Sequence, residues 1–227
     1  MKVQRRIRSF VLRAGRVTVA QARAMQELWP VFGLNVGDTP LDLDMAYGRA
    51  ALRCLEIGFG TGEVIGSLAQ ANPHTDYLGI EVHRSGVGRL LLQAEAANLA
   101  NLRIICHDAV EVLHNAIQDQ SFDEILVFFP DPWHKKRHRK RRLIEPAFVE
   151  LITRKMRAGG TLRMATDWQD YAEQMLEVCN ASAPLSTLSL DGGYVVRPEF
   201  RPATRFERRG ERLGHGVWDL AYVKHNT

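Results

Sequence analysis

Three glycines at alternate positions, Gly58, Gly60 and Gly62, follow an apolar run at residues 51–57 and precede an amphipathic run at residues 64–68. The first run has the length and flanks of a buried strand, and the second has the spacing of a helix. Glycine is needed between them because the chain must turn tightly and let a ligand reach the backbone with no Cβ in the way. A strand, a glycine turn and a helix in that order belong to an open α/β sheet, where ligands sit at the carboxyl ends of the strands.

The ligand follows from what flanks the glycines. A dinucleotide fingerprint wants a third glycine where this chain has Glu63, and a carboxylate there would face a pyrophosphate. Glu56, two residues before the first glycine, suits a ligand carrying an ammonium or sulfonium instead. The run Leu55-Glu56-Ile57-Gly58-Phe59-Gly60-Thr61-Gly62 resembles the first motif of S-adenosylmethionine-dependent methyltransferases.

Strand and helix alternate from residue 52 onward, the mark of a parallel sheet with helices on both faces. Strands are predicted at 77–80, 102–106, 122–128 and 161–165, and helices at 61–71, 85–98, 146–156 and 168–180. A short helix is predicted through residue 117, and residues 130–142 read as a long loop. Two late runs, 185–190 and 218–223, have no helix between them and read as an antiparallel pair at one edge. The fold class expected is α/β: a Rossmann-like class I methyltransferase fold with a mostly parallel seven-stranded sheet and an antiparallel edge strand. Upstream, residues 18–29 read as a helix ended by Pro30, and residues 38–44 as a loop. The domain expectation is a basic, partly mobile arm at 1–50 and the methyltransferase domain at 51–227.

Each of the first three strands ends in an acid: Glu56, Glu81 and Asp108. Glu81 lies 23 residues beyond Gly58, near the roughly 20-residue spacing at which an acid meets a ribose in doubly wound nucleotide sites. One carboxylate can accept from two ribose hydroxyls, and Asp108 can accept from an adenine amino group. These residues, with the three glycines, are the expected cofactor contacts.

Charge is where composition matters. The net charge of +4 hides a segregation. Residues 1–23, 134–142 and 197–212 together carry 20 of the 30 Lys and Arg and 3 of the 26 acids, leaving the rest of the chain at −13. Three cationic segments on an acidic body point to a polyanionic partner. No apolar run approaches the roughly 20 residues of a membrane span, and no secretory signal is evident at the amino terminus. Cys54, Cys106 and Cys179 are odd in number and far apart, which fits reduced thiols and neither a disulfide frame nor a metal site. A cytoplasmic protein is expected, with no metal and no obligate protein partner evident.

The fourth strand runs into Phe128-Phe129-Pro130-Asp131-Pro132-Trp133-His134-Lys135-Lys136. Prolines on both sides of Asp131 restrict its backbone, so the carboxylate can be held rigidly. Phe-Pro-Asp-Pro-Trp followed by a His/Lys/Arg run resembles the bacterial tRNA (guanine-N7)-methyltransferase family. Arg8-Ser9-Phe10-Val11, Thr166-Asp167 and Thr204-Arg205-Phe206-Glu207 match the same family in the expected order. The resemblance implies S-adenosylmethionine as cofactor, tRNA as partner, and methylation of the variable-loop guanosine at nucleotide 46. It implies cofactor contacts at Glu56, Glu81, Asp108 and Asp131, with Asp131 as the catalytic candidate. It implies substrate contacts at Lys135, Asp167, Thr204, Arg205, Phe206 and Glu207, and RNA contacts at Arg137, His138, Arg139, Lys140, Arg141 and Arg142.

The chemistry agrees with that implication. Guanine N7 has an in-plane lone pair and no proton, so it needs no general base, and a carboxylate beside the base favours the cation that forms. A carboxylate can also accept both N1–H and the 2-amino group of guanine, a role open to Glu207 or to Asp167. Trp133 is suited either to stacking on a base or to anchoring the loop.

Overall fold

The computed structural model describes residues 8–11, 16–37, 39–201 and 216–225. The strands are β1 (Leu52–Ile57), β2 (Thr75–Ile80), β3 (Leu102–Ile105), β4 (Phe122–Phe128), β5 (Met156–Thr166), β6 (Leu185–Thr187) and β7 (Trp218–Lys224). They form one sheet in the order β3-β2-β1-β4-β5-β7-β6. The first five in space are parallel, and β7 runs antiparallel to both β5 and β6. This is the expected class I methyltransferase architecture, with the antiparallel β6–β7 pair at the edge and no helix between them among the described residues.

Helices α1 (Val19–Glu27), α4 (Glu63–Ala71) and α5 (Arg84–Ala96) pack on one face of the sheet. Helices α3 (Leu43–Tyr47), α6 (Ala109–Asn115), α7 (Pro146–Lys155) and α8 (Gln169–Asn180) pack on the other. Alternation along β1 sends Leu55 and Ile57 into the second core and Cys54 into the first. Each such aliphatic side chain contributes about 1.5–3 kcal/mol by leaving water. Glu56, between Leu55 and Ile57, is carried onto the α4 and α5 side by the same alternation.

Upstream of β1 the chain departs from the sequence reading. Thr18 and Gln21 form a reciprocal capping box that starts α1, and Ala24 of that helix is buried. Pro30 does not simply end a helix: it stands in the first turn of a short α2 (Trp29–Phe32), where a missing N–H costs nothing. Within the expected loop, Asp42 caps α3 by accepting from the Met45 amide at 2.9 Å. Leu34 N–H donates to the Ile104 carbonyl, and Tyr47 donates to the Tyr77 carbonyl. No break in packing therefore falls at residue 50 among the described residues, because Phe32 and Leu43 are core residues of the domain. Residues 1–7 and 12–15 of the expected arm lie outside the described residues.

Three further boundaries differ. β5 begins five residues early, carried through Gly159 in left-handed conformation (φ 75°) by an irregularity in its pairing with β4. β6 is shorter than the run 185–190. Inside the expected loop, residues Lys136–Arg141 wind into a 3₁₀ helix. No helix among the described residues is long and apolar enough to cross a membrane.

Candidate functional site

The carboxyl ends of β3, β2, β1, β4 and β5 form one edge of the sheet, so the residues after each strand meet there. Along that edge lie Asp108, Glu81, Glu56 with the glycine turn, Asp131 and Asp167, in that order. Strand order reverses between β1 and β4, which is the crevice where open α/β sheets hold ligands.

Gly58, Gly60 and Gly62 all adopt left-handed backbone, with φ of 72°, 56° and 77°. A Cβ on Gly58 or Gly60 would meet nothing within 4 Å, so the dihedral angle and an open approach, not crowding, call for glycine there. Glu81 grips this turn: Oε2 accepts from the Gly60 amide at 2.9 Å, and Oε1 accepts from Val82 at 2.7 Å and His83 at 2.9 Å. Three amides leave roughly one of its four acceptor positions for a ligand hydroxyl. Asp108 caps α6 by accepting from the Val110 amide at 2.9 Å and stays half-buried at the same edge.

A residue that the sequence reading passed over completes the turn. Gly86, in the first turns of α5, has no room for a side chain: its Cβ would lie 2.0 Å from the Gly60 carbonyl oxygen. The available signal is Arg84-Ser85-Gly86-Val87-Gly88, two glycines in a helix where each costs about 1 kcal/mol against alanine unless backbones must approach closely.

Glu56 is 3% exposed, and its Oε2 has no hydrogen-bond partner. Burial pushes its carboxyl up to about 8; the Ile65 amide pulls it partly back and the Glu81 charge raises it further. A buried acid at the strand end leading into a glycine turn fits a cationic ligand that restores its ionised form. The sign for stability follows from linkage: protonated Glu56 contributes fully below the unfolded value of 4.5, and that contribution is lost as pH rises through about 8. Without ligand, wild type should therefore lose on the order of a few kcal/mol more stability than Glu56→Gln between about pH 5 and pH 9. Urea unfolding of both proteins at the two pH values measures this, and a pH-independent difference would mean Glu56 is ionised in the fold.

Asp131 is exposed in a turn bracketed by two non-glycine residues in left-handed backbone, Phe129 (φ 51°) and Trp133 (φ 47°). Such conformations persist only where their surroundings hold them, and they concentrate at functional turns. Phe129 N–H donates to the Ala165 carbonyl at 2.8 Å, tying the turn to the end of β5. Trp133 Nε1 donates to the Ser9 carbonyl at 2.9 Å, and the Arg141 guanidinium lies 4.9 Å from the indole centroid. Of its two possible roles, this arrangement is the loop anchor. The His134 and Trp168 ring centroids lie 4.1 Å apart with the planes tilted by 59°. Val11, His83, Asp131, Trp133, Lys135 and His138 surround a cleft of ≈ 480 Å³.

The basic run beyond the cleft divides in two. Lys135, Arg137, Arg139 and Lys140 are exposed, with His138 and Arg141 half-buried. Arg142, expected to contact RNA, is 3% exposed, and its guanidinium is directed into the protein by hydrogen bonds and a Tyr171 ring contact. Its donors are directed at Pro132, Asp170 and Gln174, and a run of seven cations does not by itself separate a side chain facing solvent from one facing α8. Asp167 is half-buried after β5. Thr204, Arg205, Phe206 and Glu207 lie outside the described residues. Among the described residues there is no cluster of three His, Cys, Asp or Glu able to hold a metal ion.

Residues 50–220 match the family model described as "Putative methyltransferase". Among similar curated proteins, the tRNA (guanine-N(7)-)-methyltransferase of Ectopseudomonas mendocina is 55% identical over 221 residues, 97% of this chain and 93% of that protein. A protein of the same name from Serratia proteamaculans is 54% identical over 98% of this chain and 93% of its own length. The crystal structure of the 16S rRNA methyltransferase KamB aligns with a TM-score of 0.60 at 17% identity, covering 86% of this chain and 99% of that one. The aminoglycoside resistance methyltransferase NpmB1 gives a TM-score of 0.57 at 18% identity over 80% and 91% of the two chains. At those identities the likeness is one of fold.

Proposed function

Because this chain belongs to the bacterial tRNA (guanine-N(7)-)-methyltransferase family, we propose that it methylates N7 of a tRNA guanosine, the variable-loop one at nucleotide 46. S-adenosylmethionine is the cofactor, and when bound it supplies an electrophilic methyl group on a sulfonium. The residues fit it: Glu56 brings a buried carboxyl whose Oε2 has no hydrogen-bond partner, and Gly58 and Gly60 leave the backbone open to approach. Glu81 and Asp108 bring acceptors for hydroxyl and amino groups.

The observation that carries the reading is the continuity of one segment. Asp131 stands beside the glycine turn on the sheet edge, and five residues later the same segment becomes the exposed basic helix Lys136–Arg141. A base delivered by a backbone docked on that helix arrives next to Asp131. N7 would attack through its in-plane lone pair, in line with the S–CH3 bond that breaks as the sulfur leaves as a neutral thioether, and Asp131 would stabilise the positive charge that the base acquires while taking no proton. Alignment is the other contribution, supplied by a turn fixed between prolines. Lys135, Asp167 and the run 204–207 hold the nucleotide, with Glu207 or Asp167 accepting from the guanine N1–H and 2-amino group. RNA modules read such splayed-out bases by their edges. A tRNA substrate puts the enzyme in the cytoplasm.

Transfer of labelled methyl from S-adenosylmethionine to bulk tRNA, followed by digestion and identification of the modified nucleoside, tests the reading. Label in any nucleoside other than 7-methylguanosine, or none, overturns it.

The basic helix has a separate test. Neutralising Arg137, Arg139, Lys140 and Arg141 to glutamine together should weaken tRNA binding and lower the slope of log K against log salt by up to about four. Cofactor binding should persist. An unchanged slope would make the run a solvated face with no phosphate contacts.

A further inference from the structure

The turn that holds Asp131 has few backbone handles. Pro130 and Pro132 have no N–H to donate, so carbonyls and flanks take a larger share in fixing the segment between Phe129 and Trp133. Upstream, the Phe129 amide is held by Ala165. Downstream, the Pro132 carbonyl accepts from Arg142 Nε at 2.9 Å.

Arg142 spends its remaining donors on α8. Nη2 donates to Asp170 Oδ2 at 2.5 Å, and Nη1 donates to Gln174 Oε1 at 2.7 Å. Its guanidinium lies 4.7 Å from the centroid of Tyr171, whose hydroxyl accepts from the Ile144 amide. Gln174 is itself fixed, donating to the Ile144 carbonyl at 2.9 Å. Asp170 uses its other oxygen, Oδ1, on Arg139 Nη1 at 2.9 Å, and Arg139 belongs to the exposed basic helix. One carboxylate thus joins the buried arginine behind the Asp131 turn to a cation on the surface proposed to meet phosphate.

We propose that Arg142 is a positioning residue for Asp131, and that Asp170 sets the phosphate-facing helix and the catalytic turn in a fixed relation through its two arginines. The proposal rests on the methyl-transfer reading above. A planar fork directed at three acceptors is what it requires, and the compact ammonium of lysine reaches them incompletely. Arg142 therefore acts through Asp131 and touches neither base nor phosphate. Misplacement of a reacting group by about 1 Å can cost 10²-fold in rate, so a loosened turn should be read in kcat.

The test compares wild type, Arg142→Lys and Asp170→Asn in methyl transfer to tRNA, with tRNA affinity measured across a salt series. For Arg142→Lys the expected result is a fall of about tenfold or more in kcat, with tRNA affinity within about threefold and an unchanged salt slope. Asp170→Asn keeps the shape of the contact and should show the same pattern at about a third of that factor. A phosphate contact would give the reverse: weaker tRNA binding, a salt slope lower by about one and an intact kcat. Calorimetric binding of S-adenosylmethionine reports whether each variant is folded; if Arg142→Lys is not, Asp170→Asn decides alone. Wild-type kcat in a folded variant, or a loss confined to tRNA affinity and salt slope, overturns the positioning role. Absence of 7-methylguanosine with wild-type enzyme overturns the underlying reading, and this role with it.

Discussion

Asp131→Asn should lower kcat by about 10²-fold or more while changing cofactor affinity far less. Prolines at 130 and 132, left-handed residues at 129 and 133, and the hydrogen bonds of the Phe129 amide and the Pro132 carbonyl all constrain the backbone of the turn. Asparagine is close to isosteric with aspartate, so on that backbone the principal change is loss of the charge. If the transition state gains from a negative group beside a base becoming cationic, the loss falls in the chemical step. Single-turnover methyl transfer at saturating tRNA, with calorimetric binding of S-adenosylmethionine alongside, separates the two quantities. Near-normal turnover would remove Asp131 from the chemistry and leave it as a turn residue.

Gly86→Ala carries the second large effect, and its warrant is steric. The nearest atom to the added methyl is the Gly60 carbonyl oxygen at 2.0 Å, an atom of the backbone that no rotamer can move aside. Relief must come from a shift of α5 or of the glycine turn, and overpacking of this kind costs about 1–3 kcal/mol. Because the turn is also the ligand's approach surface, the affinity for S-adenosylmethionine should fall by about 10²-fold, equivalent to roughly 2.7 kcal/mol. Gly37→Ala is the control, since a Cβ there meets nothing within 4 Å. A Gly86→Ala protein that binds the cofactor like wild type would show that turn and helix separate at little cost.

What the sequence disclosed and what it hid divide along physical lines. That Glu56, Glu81, Asp108 and Asp131 would share one edge was legible because strand ends announce themselves locally, and a parallel sheet brings every carboxyl end to one side. Residues 17–50 were harder: the short apolar contacts of Phe32 and Leu43 have no periodicity long enough to register, yet they seal both faces of the sheet. The close approach at Gly86 and the inward direction of Arg142 are not legible in the sequence for a shared reason. A close backbone approach and a buried guanidinium are facts about neighbours far along the chain, 26 residues away for Gly60 and 28 for Asp170. Seven cations in nine residues look alike in one dimension, and only packing shows that the last of them turns inward.

The place of β7 has a consequence for how the molecule is made. It is the last of the described strands in sequence, yet it sits inside the sheet, hydrogen-bonded to β5 on one side and β6 on the other. During synthesis the chain up to residue 217 holds β5 with an open edge and β6 with no sheet to join. Pairing of Thr161 with Val223 closes a loop of 62 residues, a contact of high order that forms slowly. Until then an unpaired strand edge is open to other nascent chains, the usual start of aggregation. Premature termination before residue 218 should therefore yield insoluble product, not a shortened enzyme, and expression yield should depend on how quickly that final strand is delivered.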